Sequence, residues 1–149
     1  MALSASGVFG TTLRDQFDAS QIAFNWTSDT IKGALFDNSL TLDYSADTGY
    51  GSAPYNAGEI SGTGYTVGGA TLASKTLTSS SGLVTFDAAD LQWTSATIAS
   101  AYGLLIYDDT LAANNGLCTI AFGGAYSVTN GTFNVVFDSA GIVRWDFTP

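Results

Sequence analysis

The sequence predicts an all-β domain, an antiparallel β-sandwich of jelly-roll-like kind with an extended N-terminal arm. Three observations predict it. Short runs of β-branched and aromatic residues recur along the chain, separated by Gly, Asn, Asp and Ser clusters, which is the punctuation of an all-β fold. Helical periodicity is almost absent. The stretch from Glu59 to Thr78, EISGTGYTVGGATLASKTLT, alternates through Tyr65, Thr66 and Val67 and then breaks step, because Leu72 and Leu77 are an odd number of positions apart. A bulge or a break in the strand must absorb the extra residue, so the stretch reads as the turning corner of the domain.

Residues 1–26 form the expected arm and residues 27–149 the sandwich. The arm mixes small residues with isolated large ones, and Gly7 and Gly10 oppose any long helix. Leu13 and Phe17 fit one helical turn. Scattered apolar anchors suit a chain lying along another surface, and Phe17, Phe24 and Trp26 are the candidate partner-binding anchors. An edge strand packed on its own domain fits the same residues equally well.

From Ile31 to Phe36 alternation marks the first strand. Residues 37–58 are rich in Asp, Asn, Ser, Gly and Tyr and read as a long surface loop, with Leu40–Tyr44 a candidate edge strand within it. Ser79–Gly82 is a turn, Leu83–Phe86 a strand, and Asp87–Asp90 a tight turn delivering Leu91 and Trp93. Ile98–Tyr107 (IASAYGLLIY) carries no charge and reads as a central strand buried on both faces. Beyond a loop at Asp108–Gly116 come strands at Leu117–Phe122 and Thr132–Phe137. A hairpin turn at Asp138–Gly141 then leads into a strand at Ile142–Phe147. About seven to nine short strands of this kind suit a sandwich or jelly roll.

Composition bounds the function. Charged residues are 11% of the chain, against roughly 25% in ordinary globular domains, so much of the surface is neutral and easily dehydrated, which favours lasting contact with other chains. The net charge of −9 sets 13 acids against 4 cations. So few cations, spread along the chain, cannot neutralise a phosphate backbone, and nucleic acid is not an expected partner. No apolar run of about 18 residues suggests a membrane span, nor does the N-terminus read as a secretory signal. The expected place of synthesis is a cytoplasm, where the sequons Asn25-Trp26-Thr27 and Asn130-Gly131-Thr132 carry no sugar.

The chain contains no histidine, which removes the commonest general base and metal ligand. The single cysteine, Cys118, stands in the apolar run LCTIAF and reads as a small buried hydrophobe. The glycines around residues 62–69 lack the following helix and Lys-Ser/Thr pair of a phosphate loop, and are better explained by positive φ or close strand approach. Asp108-Asp109, joined by Asp87 or Asp90, is the best candidate for a calcium site, but two acids opening a solvated loop is the ordinary reading. No opposed carboxylates mark a glycosidase cleft. No enzyme, cofactor or metal is therefore expected. Tyr44, Tyr50, Tyr55 and Tyr65, with Trp93, suit either a sugar-stacking platform or a protein contact. The contact is the reading adopted, with the four tyrosines as partner-binding candidates.

Asp29–Leu35, Glu59–Gly69, Ala101–Asp108, and Thr129–Phe133 through Gly141-Ile142 together resemble small structural proteins of tailed bacteriophages, with the GTGYTxGG segment the most specific piece. The likeness spans about residues 29–143. It implies a capsid cement or decoration protein, β-rich and oligomeric, seated on the major capsid protein at the virion surface, and no catalytic residues. The apolar arm and the C-terminal RWDFTP depart from that pattern. A neck or tail component, or a carbohydrate-binding module of a phage fibre, are the alternative expectations.

Overall fold

A computed structural model describes residues 6–17 and 23–147. The side chain of Phe17, and Ile22 among the arm's apolar residues, lie outside the described part. The elements are β1 (Gly7–Val8), α1 (Gly10–Phe17), β2 (Ile31–Phe36), β3 (Ala70–Thr71), β4 (Thr76–Ser80), β5 (Leu83–Asp87), β6 (Leu91–Asp108), β7 (Gly116–Val135) and β8 (Val143–Asp146). They form a five-stranded sheet ordered β1-β7-β6-β2-β3 and a three-stranded sheet ordered β4-β5-β8, every pairing antiparallel. The chain is thus an all-β antiparallel sandwich. A jelly-roll order is not evident in the two sheets.

β2 has the boundaries its alternation predicts. Ile31 and Leu35 enter the core between the sheets, while Ala34 and Phe36 enter a second core on the opposite face. The neighbouring half of β6 divides the same way, with Leu104 and Ile106 on one side and Leu105 and Tyr107 on the other. Of the expected doubly buried strand Ile98–Tyr107, only the part from Gly103 is buried throughout; Ala99 and Ser100 are exposed, and the strand itself starts earlier, at Leu91. A Cβ on Gly33 would sit 2.5 Å from Leu91 Cδ1, so a larger residue there would have to displace that side chain.

The second core is closed by the long loop and by Phe9, just after β1, rather than by a strand. Leu40 and Tyr55, from the long segment between β2 and β3, pack with Phe9 over Ala34, Phe36 and Leu105. Leu40 is buried there, but residues 40–44 are not a strand. The segment is fixed to the sheet by Gly116 N–H donating to Thr48 O at 2.8 Å and Tyr50 N–H donating to Asn114 O at 3.0 Å.

The N-terminal residues described belong to the same body. Gly7 and Val8 pair with Thr119 and Cys118, and Phe9 is fully buried, its ring 5.9 Å from Tyr44 and 5.6 Å from Tyr55. Of the two readings of this region, Gly7–Phe9 follow the edge-strand one.

Three expectations are corrected by the longer pairings. Tyr65–Val67 is a turn segment rather than a strand, with Tyr65 buried and Val67 exposed. β7 runs unbroken through Gly123-Gly124 and Asn130-Gly131, where the sequence ends one strand at Phe122 and starts another at Thr132. These turn-like residues mark bulges: Ser95, Ser100, Gly123 and Asn130 have positive φ, and the β6–β7 register shifts repeatedly between Trp93 and Gly103. Bulges bend a long ribbon, so its far half (Leu91, Trp93, Phe133, Val135) shares the main core with Phe86 of β5 and Val143 of β8. Finally, Asp138–Gly141 is a turn, but it does not close a hairpin with β7. β8 pairs with β5 instead, and Ile142 N–H donates to Phe86 O at 2.9 Å.

The corner reading of residues 59–78 holds in another form. The strand is broken between β3 in one sheet and β4 in the other, with Leu72 buried and Leu77 exposed.

Candidate interaction surface

Glu59 ends the long loop and collects its neighbours. Its Oε1 accepts the Tyr65 hydroxyl at 2.8 Å and the Gly68 N–H at 2.7 Å, and its Oε2 accepts the Tyr50 hydroxyl at 2.7 Å. Tyr107 donates to Gly68 O at 2.8 Å and stacks on Tyr50, with ring centroids 4.5 Å apart. Burial, followed by the Glu59 hydrogen bond and charge, pushes the Tyr50 hydroxyl far above its ordinary pKa; burial leads for Tyr65 and Tyr107 as well. These phenols stay neutral donors. With three donors on one carboxylate, the cluster pins the loop to the sheet.

The glycines beside it serve close approach. A Cβ on Gly62 would lie 2.0 Å from Thr97 O, and one on Gly69 1.9 Å from Gly33 O.

The predicted partner-binding residues divide by burial. Tyr55 is 2% and Tyr65 8% exposed, and Tyr44 lies over Gly7 with its hydroxyl 2.6 Å from Thr119 Oγ1. Phe24 stacks edge-on to Trp26, which in turn packs on Phe86 at 4.7 Å and Trp145 at 5.3 Å. Tyr50 is partly buried in the Glu59 cluster, and Trp93 is in the main core. Apart from Phe17, whose side chain is outside the description, these rings therefore present most of their area to the domain itself. A stacking platform of Tyr44, Tyr50, Tyr55, Tyr65 and Trp93 is not what the structure presents to solvent.

The acid pair also separates. Asp109 Oδ2 bonds Lys32 Nζ at 2.7 Å. Asp108 is fully buried; its Oδ1 accepts Thr110 N–H at 2.7 Å, while Oδ2 has no donor and the carboxyl faces that of Asp29. Burial, and then the Asp29 charge, hold Asp108 protonated above its ordinary range. Asp87 and Asp90 stand at the opposite end of β6, so the four acids do not converge. Cys118 is buried as expected, and burial alone pushes its thiol up to about 12.

A groove of about 800 Å³ runs along β7, lined by Phe122, Tyr126 and Val135 and by Ile142–Arg144. Its apolar rim is open, with Tyr126 55% and Val136 73% exposed. Among the described residues, Asp138 and Arg144 are the charged ones that line it, of opposite sign. Val67, Leu77 and Phe147 are further exposed apolar side chains. None of these five is among the expected partner-binding residues. The signal for the groove was present, since no charged residue occurs from Thr110 to Phe137.

Set against protein-family models, curated proteins and solved structures, the chain matches none.

Proposed function

We propose that this chain is a structural protein of a tailed-bacteriophage virion, a capsid cement or decoration protein that clamps neighbouring major capsid subunits. The observation that carries the reading is the largely apolar groove along β7, whose acid and base offset each other, on a chain that is strongly acidic. An apolar concavity with exposed aromatic and branched side chains is the surface of a protein that works by contact. Acidic charge elsewhere repels packaged nucleic acid and disfavours adhesion away from that face.

The phage resemblance supports the same reading. Its segments coincide with β2, the Glu59 cluster with its close-approach glycines, the doubly buried half of β6, and the end of β7 with the turn after it, where Thr132, Phe133, Gly141 and Ile142 line the groove. The resemblance therefore covers both framework and part of the proposed contact face. Many weak joints repeated over a shell would multiply a modest affinity for each subunit.

The experiment is retention on heads assembled without this chain. Added protein should stay bound after dilution and saturate in proportion to the capsid subunits. No retention would remove the cement role. Retention at one vertex would favour a neck component.

A further inference from the structure

The groove is bounded by an open sheet edge, and the edge defines what fits it. β7 pairs with β6 along its length, yet on its other side β1 covers only Cys118 and Thr119. Among the described residues no strand pairs with that side from Tyr126 to Val135. An unpaired strand edge is a template for another strand, and proteins that stay monomeric blunt it with charge, proline, shortness or cover.

The other edges are blunted in these ways. β3 has two residues, β4 is short, polar and preceded by Lys75, and β8 is short and carries Arg144 and Asp146. The open edge of β7 is long and has neither charge nor proline; the bulge at Asn130 interrupts it but leaves Tyr126–Thr129 and Thr132–Val135 on either side without a partner strand among the described residues.

We propose that a second copy of this chain covers this edge, with β7 of each protomer pairing antiparallel to β7 of the other about a two-fold axis from Tyr126 to Val135. This rests on the reading of the protein as one that works by assembly, and specifies how copies join. A two-fold brings the same edge to itself in antiparallel sense, so one strand supplies both halves of the joint. Charge singles out this face for self-contact. Two chains of net charge −9 repel over most approaches, but the groove lining holds one acid and one base. Tyr126 and Val136 would lose their exposure in the joint.

Sedimentation or light scattering across a dilution series, with the full chain, tests it. The wild type should show twice the 15.4 kDa chain mass, and Tyr126→Lys/Val136→Lys should return it to the chain mass with the same β-rich circular dichroism. Leu77→Lys/Phe147→Lys, on exposed residues elsewhere, should remain dimeric. Amide exchange on the wild type supplies a second readout independent of any variant: outward amides of residues 126–135 should be protected at high concentration and exposed on dilution. A wild type at the chain mass throughout, a dimer indifferent to the β7 lysines, or outward amides that exchange freely at every concentration overturns the proposal. Capsid retention by such a monomer would leave the cement reading standing.

Discussion

The Tyr65 hydroxyl donates to Glu59 Oε1 at 2.8 Å and at the same time accepts the Leu35 N–H at 2.9 Å. One phenol therefore ties the end of the long loop to Leu35, near the C-terminal end of β2. Removing it orphans a buried backbone N–H and one acceptor position, so Tyr65→Phe should cost about 1–3 kcal/mol. Glu59→Ala, which leaves three donors without their acceptor, should cost more. Urea unfolding of both variants checks this, and a Glu59→Ala variant milder than Tyr65→Phe would show that the carboxylate is not the centre of the cluster.

Leu105 is fully buried in the core beneath the long loop. Leu105→Ala should cost roughly 2–5 kcal/mol, the range for a buried leucine whose cavity only partly collapses. A neutral result in chemical denaturation would mean that the loop side of the sheet is loosely packed.

Phe9 makes the N-terminal region part of that core. Phe9→Ala should cost about 3–5 kcal/mol, and deleting residues 1–24 should lower the melting temperature strongly, because Phe9 and the β1 pairing go with it. A truncated chain that melts like the full one would return the region to a free arm.

Asp108 gives a pH signature. The folded state holds its proton more tightly than the unfolded chain, so this contribution to stability is complete below the ordinary value of 3.8 and is lost as pH rises through the higher folded value. Asp108→Asn retains an acceptor for Thr110 and offers a donor towards Asp29. It should melt higher than wild type at neutral pH, with the difference vanishing in acid. A variant less stable at neutral pH, together with a wild type destabilised by EDTA, would mean that Asp108 is ionised on a bound cation.

How far the sequence was legible follows from how local each signal is. β2 and the buried half of β6 could be read because alternation and apolar runs reflect burial directly, residue by residue. The continuity of β7 could not, since Gly123-Gly124 and Asn130-Gly131 look alike in a turn and in a bulge, and only pairing with β6 separates the two. The partner of β8 depends on Phe86, distant in sequence, and nothing near Val143 announces it. Tyrosine misled for a physical reason. The ring that suits an interface also suits the underside of a loop, and Tyr55 fills the second core where the expected contact surface was placed. The groove was visible only as missing charge, a weaker signal than an aromatic residue.

The central claim is a place on the phage head, and copy number tests it most directly. Under the proposed cement role, quantitative mass spectrometry of purified phage particles should find this chain in constant proportion to the major capsid protein, as a cement at every capsomer interface requires. A small fixed number per particle, or none, would contradict the account.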